Sequence, residues 1–140
     1  LVSHAEKVGV TVLVEGAYAH VVHNPQRIRA LLDRINSPNL RVTVDLFNFL
    51  NMENHASHVD LFKTCLDLFK DHIAIIHLKD YVITPDGLTT VGLGEGLMDY
   101  QTLIHLIRNH LPDVHLIFEG VTGPSIRTSL SHIRSLLERT

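Results

Sequence analysis

Four short apolar runs punctuate the chain, at residues 10–14, 40–44, 73–76 and 114–118. Each is rich in Val and Ile and is bounded by polar or turn residues. None alternates cleanly between apolar and polar positions, so each predicts a strand buried on both faces. Helical patterns lie between them. Asn24-Pro25 reads as an N-cap followed by proline in the first turn, and Ile28, Leu31, Leu32 and Ile35 continue as a 3.6-residue stripe. Asn36-Ser37-Pro38-Asn39 stops that helix. Phe62, Cys65, Leu66 and Phe69 form the next stripe. Asp99 caps a helix carrying Leu103, Leu106 and Ile107. Gly123-Pro124-Ser125 opens the last one, with Ile126, Leu130, Ile133 and Leu137.

The predicted order is β-α-β-α-β-α-β-α, preceded by a helical stub that holds His4. Alternation of this kind argues for an α/β fold with a parallel sheet and right-handed crossovers. The longest irregular stretch is predicted from residue 81 to residue 98. It contains Pro85-Asp86-Gly87 and Gly92-Leu93-Gly94-Glu95-Gly96, and long loops in compact domains are usually functional.

Composition narrows the function classes. The chain has 140 residues, enough for one domain. Its 12 Lys and Arg against 15 Asp and Glu leave no basic excess for nucleic acid. Cys65 is the one cysteine, which excludes a disulfide framework and a cysteine-based zinc site. No apolar run approaches the roughly 18 residues of a membrane span, and no basic and apolar leader precedes the first element. The sequence therefore predicts a cytoplasmic protein with no membrane partner. It is 45% apolar and 19% charged, with a positive mean hydropathy of +0.15, greasy for its size.

The chemistry lies at the strand ends. The first run ends in Glu15, the second in Asp45 and the fourth in Glu119, while the third is followed by His77-Leu78-Lys79-Asp80. Parallel strands present their C-terminal ends on one rim, where ligands bind in α/β folds. Four successive strands thus deliver Glu, Asp, His and Glu to one place. Three carboxylates and an imidazole suit a divalent metal, Mn²⁺ or Mg²⁺ before Co²⁺ or Zn²⁺. Taken singly, each carboxylate reads as an N-cap or a solvated loop residue; the matched positions favour the joint reading. His20 and His23 follow the first strand closely enough to line such a site. The remaining histidines lie on helices, helix ends or loops with no partner pattern, and Cys65 reads as a small core residue.

The segments Val14-Glu15, Val42-Thr43-Val44-Asp45, Ile76-His77-Leu78-Lys79-Asp80, Gly92-Leu93-Gly94-Glu95-Gly96 and Ile117-Phe118-Glu119 together resemble the xylose isomerase-like superfamily, in particular its sugar phosphate isomerase and epimerase branch. The resemblance implies a (β/α)4 half of a TIM barrel, with residues 1–140 as one partial domain corresponding to strands five to eight. It implies Glu15, Asp45, His77 and Glu119 as metal ligands, and Glu15 and Glu119 as the paired acid and base groups. Asn48 stands where many members carry a histidine. Asn48, Lys79, Asp80 and Glu95 are the expected substrate or supporting contacts, although Glu95 reads equally as a loop-pinning carboxylate. The implied activity is metal-dependent isomerisation or epimerisation of a sugar or sugar phosphate through an enediolate. A metal-binding or purely structural half-barrel without turnover is the rival reading. An apurinic-endonuclease type of phosphodiesterase is a third, weakened because no Asp-x-His pair lies between His77 and Gly94. A barrel takes about 250 residues, so the expected partner is a missing N-terminal half or a second copy of the chain.

Overall fold

A computed structural model describes residues 1–139. After α1 (Val2–Val8) the chain runs through β1 (Val12–Glu15), α2 (Pro25–Ile35), β2 (Leu40–Asp45), the single turn α3 (Leu46–Phe49) and α4 (His58–Phe69). It continues through β3 (Ile73–Leu78), β4 (Asp80–Thr84), β5 (Gly87–Val91), α5 (Tyr100–His110), β6 (His115–Phe118) and α6 (Ser125–Arg139). Asn24 caps α2 as its pattern predicts: its side chain accepts a hydrogen bond from the Arg27 N–H at 2.9 Å. Asn36, at φ 47°, ends that helix in the left-handed conformation that asparagine tolerates.

The main sheet has the order β1-β2-β3-β6, and all three pairings are parallel. This is a partial TIM barrel: strands follow one another in sequence order, with α2, α4 and α5 as the intervening helices. The core lies between sheet and helices, where Ile28, Val42, Val44, Phe62, Cys65 and Ile104 are completely buried. Burial of each large apolar side chain stabilises by roughly 1.5–3 kcal/mol. The same burial pushes the Cys65 thiol up to about 12, so it packs as an inert small residue.

Two expectations need correction. The strands are not all buried on both faces. β2 is almost wholly buried, but β1 and β6 are half-exposed because they are the two edges of the sheet. The stretch from 81 to 98 is not all irregular either. It holds the antiparallel hairpin β4–β5, with Thr84 paired to Gly87 across the turn Pro85-Asp86. Gly87 sits at φ 115°, a conformation that favours glycine. The signal is present in the sequence, since a Pro-Asp-Gly turn between two β-branched stretches is a hairpin pattern.

No helix among the described residues is long and apolar enough to cross a membrane.

Candidate metal centre

Residue parity brings the strand-end groups together. Neighbouring positions in a parallel ladder share a face, and alternate residues along a strand return to it. Asp45 is level with His77, and His77 is level with Ile117, two residues before Glu119. Glu15 is level with Thr43, two residues before Asp45. All four therefore project to the same side. One ligand atom from each of Glu15, Asp45, His77 and Glu119 lies within 4.8 Å of the other three.

His77 is the hub. Its Nδ1 lies 3.5 Å from Glu15 Oε1 and 3.7 Å from Asp45 Oδ2, and it contacts Glu119 Oε2 directly. Asp45 divides its two oxygens. Oδ1 caps α3 by accepting the Asn48 N–H at 3.2 Å, while Oδ2 faces the cluster. Asp45 thus caps α3 with one oxygen and presents the other to the cluster. Gly16 lets the chain leave Glu15 tightly: a Cβ there would stand 2.6 Å from the Phe49 ring and 2.8 Å from the Val22 carbonyl oxygen.

Lys79 and Asn48 tie the carboxylates together. The Lys79 ammonium lies 2.7 Å from Asp45 Oδ2 and 3.2 Å from Glu119 Oε1, and it donates to Asn48 Oδ1 at 3.2 Å. Asn48 Nδ2 in turn donates to Glu15 Oε1 at 2.8 Å. Burial pushes the Asp45 carboxyl above its ordinary value, and Lys79 pulls it back only part of the way. For Lys79, burial acts downward, but pairing with Asp45 and Glu119 outweighs it and holds the ammonium above the ordinary lysine value.

The donor set fits a divalent metal ion. Asp45 Oδ2, His77 Nδ1 and Glu119 Oε2 are buried and converge on one another, with the Lys79 ammonium paired to Asp45 Oδ2 from the side. Several carboxylates gathered at one partly buried point are costly without enough positive charge, and a divalent cation among three carboxylates and an imidazole would satisfy them together.

The other residues singled out in the sequence take different places. Asp80 is completely buried and not in the cluster. Its carboxylate accepts the N–H groups of Tyr81 (2.8 Å), Gly94 (2.9 Å), Gly96 (3.0 Å) and Met98 (2.9 Å). It clamps the glycine-rich loop directly behind Lys79 rather than facing a substrate. Glu95 pins the same loop by accepting the Gly92 N–H at 3.3 Å. His20 and His23 are not among the clustered groups. His58, which has no partner pattern in the sequence, is a buried strut: Nδ1 donates to the His55 carbonyl and Nε2 accepts the Asp99 N–H, each at 2.9 Å. Only the fold brings His58 and Asp99 together, so no local pattern announces the contact.

A cleft of about 660 Å³ opens beside the cluster. Tyr18, Phe47, Asn48, Met52, Glu53 and Asp86 are among its walls. Asn48 lines the cleft and donates to Glu15 of the cluster. The Tyr18 N–H donates to the Asn48 carbonyl at 2.8 Å, fixing that wall to the site.

Comparison with known proteins agrees with this fold. A xylose isomerase domain protein from Planctomyces limnophilus superposes with a TM-score of 0.78 at 16% identity, covering 99% of this chain and 49% of that one. A xylose isomerase-like TIM barrel protein from Mycobacterium smegmatis, in complex with magnesium, gives 0.69 at 16% identity, covering 98% and 46%. D-psicose 3-epimerase with D-tagatose from Clostridium cellulolyticum gives 0.66 at 12% identity, covering 96% and 52%. The same fold is found in a probable 3-DHS dehydratase from Bacillus anthracis and in endonuclease IV from Thermus thermophilus. These likenesses are of fold, and this chain spans about half the length of the three superposed structures. No curated protein matches the sequence. The sequence profile of the family described as xylose isomerase-like TIM barrel matches residues 1–136. With nearly every residue inside that match, the chain belongs to the xylose isomerase-like TIM barrel family.

Proposed function

We propose that this chain carries the catalytic half of a metal-dependent isomerase or epimerase acting on a small sugar. The observation that carries the reading is the placement of two half-exposed glutamates on either side of the buried Asp45 and the partly buried His77. Glu15 leaves one edge strand of the sheet and Glu119 follows the other, and Asp45 and His77 stand between them.

The reaction must remove a proton from a carbon beside a carbonyl and return it to the other face or to the neighbouring carbon. Two carboxylates approaching one substrate from opposite sides suit that task. One glutamate takes the proton at a carboxylate oxygen, and the other delivers one. When bound by Glu15, Asp45, His77 and Glu119, a divalent ion, Mn²⁺ or Mg²⁺ by the oxygen-rich set, supplies Lewis-acid polarisation of the adjacent substrate oxygens. Asn48 holds Glu15, and Lys79 holds Asp45 and Glu119, so the carboxylates are oriented before substrate arrives.

The test is turnover of a panel of ketoses with added Mn²⁺, for the native chain and for Glu119→Gln. The native chain is expected to interconvert at least one ketose, and the variant to lose about 10²-fold or more of that rate. Equal rates would remove Glu119 from proton transfer. Cleavage of abasic-site DNA, with no ketose converted, would move the reading to phosphodiester chemistry.

A further inference from the structure

We propose that Lys79 is a resident counter-ion of the metal centre, setting the charge of the site so that it favours a divalent over a trivalent ion. This rests on the reading of Glu15, Asp45, His77 and Glu119 as a metal site, but not on the isomerase or epimerase reaction.

The ammonium is built to stay where it is. Its three N–H donors face Asp45 Oδ2, Glu119 Oε1 and Asn48 Oδ1. Two of these acceptors are not claimed by the cluster, since Glu119 turns its other oxygen, Oε2, to His77. Asp45 Oδ2 is the one oxygen that faces both Lys79 and His77. An ion held there shares that oxygen with the lysine while the other two lysine contacts persist. The backbone of Lys79 is held as well. The Tyr100 hydroxyl donates to its carbonyl oxygen at 2.7 Å, and the next residue, Asp80, is clamped by four backbone N–H groups. The Phe47 ring, 5.8 Å from the ammonium, backs it from another side.

Charge then decides what the site prefers. Glu15, Asp45 and Glu119 each bring a negative charge, and His77, neutral when it binds a metal, brings none. Lys79 returns one positive charge, which leaves the sum that a divalent ion cancels. Without the lysine the sum matches a trivalent ion. Repulsion between an ammonium and a metal ion grows with the charge of the ion. Lys79 and Asp45 are both buried or nearly so, and salt screens such groups weakly. Removing the ammonium therefore helps a trivalent ion more than a divalent one, whereas loosening the site would weaken both.

The test measures metal binding with no substrate present. The full chain is titrated by calorimetry with Mn²⁺ and with La³⁺ at one pH. Lys79→Met and Lys79→Gln, which lose the charge, and Lys79→Arg, which keeps it, are titrated in parallel. The rise in melting temperature with each ion is recorded for all four proteins, so a variant that folds only with metal is still read. In the two uncharged variants Mn²⁺ is expected to bind roughly tenfold or more tighter, and La³⁺ to gain by a larger factor. Lys79→Arg is expected to keep the native ratio of the two affinities. Unchanged or weaker binding of both ions in the uncharged variants would overturn the proposal and leave Lys79 as a structural tie. So would equal gains for the two ions, or an arginine variant that moves the ratio as far as methionine does. Mn²⁺ binding by the native chain with any of these results sinks the counter-ion role alone. Binding of neither ion by any of the four proteins sinks the metal reading and the proposal with it.

Discussion

Asp45 stands directly opposite His77 in the β2–β3 ladder because the register shifts once below them. Val42 pairs with Ile73, but Thr43 pairs with Ile75, so Ala74 has no opposite number. An unshifted ladder would set Asp45 level with Ile76 and turn His77 to the helix-packed face. A slip of one residue exchanges the two faces of a strand, so this irregularity decides whether an imidazole or an aliphatic chain enters the cluster. Such irregularities are over-represented beside functional sites.

Asp45→Asn separates the two roles of that residue. Asparagine caps a helix as well as aspartate does, so α3 and the fold should persist. The charge facing His77 is lost, and Mn²⁺ affinity should fall by about 10²-fold or more, by comparison with weaker supporting contacts. Titration calorimetry reads this directly. Unchanged affinity would take Asp45 out of the ligand set.

Lys79→Met keeps the aliphatic stem and removes the charge between Asp45 and Glu119. With Lys79 only 10% exposed and Asp45 fully buried, the metal-free protein should lose about 3 kcal/mol, the typical cost of breaking a buried pair. Mn²⁺ should then raise the melting temperature more in the variant than in the native chain, since the ion replaces the missing positive charge. The sign of the pH dependence follows from the raised lysine. Its contribution is complete below the ordinary value of 10.5 and is lost only as pH climbs through the higher folded value. A melting temperature insensitive to the substitution would show that Lys79 is not holding the carboxylates.

Asp80→Asn tests the loop clamp. The amide presents an NH₂ group where a carboxylate oxygen now accepts backbone N–H groups. The expected loss is about 3 kcal/mol or more, since bonds to a charged acceptor contribute roughly 1.5–3 kcal/mol each. Gly96→Ala should be nearly as harmful: a Cβ there would lie 2.3 Å from both Asp80 Oδ1 and the Tyr81 carbonyl oxygen. Urea denaturation of both variants checks this, and near-native midpoints would assign the loop's order to other contacts.

Asp99→Ala removes the N-cap of α5, where the side chain accepts the Thr102 N–H at 3.0 Å. A loss of about 1 kcal/mol is expected. That hydrogen bonding to Thr102 holds the carboxyl below the ordinary aspartate value of 3.8. Its contribution is therefore present above the unfolded value and disappears as pH falls through the lower folded one. The native chain and the variant should converge in stability as pH falls through that lowered folded value. A gap that persisted there would point to packing rather than charge.

The sequence by itself determined the alternation of strands and helices, their approximate limits, the caps at Asn24 and Asp99, and the candidacy of Glu15, Asp45, His77 and Glu119. Each of these is written in spacing along a few consecutive residues. Hydrophobic period, cap chemistry and strand-end position are local properties, and the motifs preserve them. Tertiary structure alone decided the rest. The extra residue Ala74, which puts His77 rather than Ile76 beside Asp45, is visible only when two strands pair. Asp80 and Lys79 are neighbours in sequence, but one is sealed against the glycine-rich loop while the other enters the cluster. Their partners lie as far away as Met98 and Glu119. Which side chain finds which partner across such distances depends on how the whole sheet closes, and a chain read one element at a time does not contain that information.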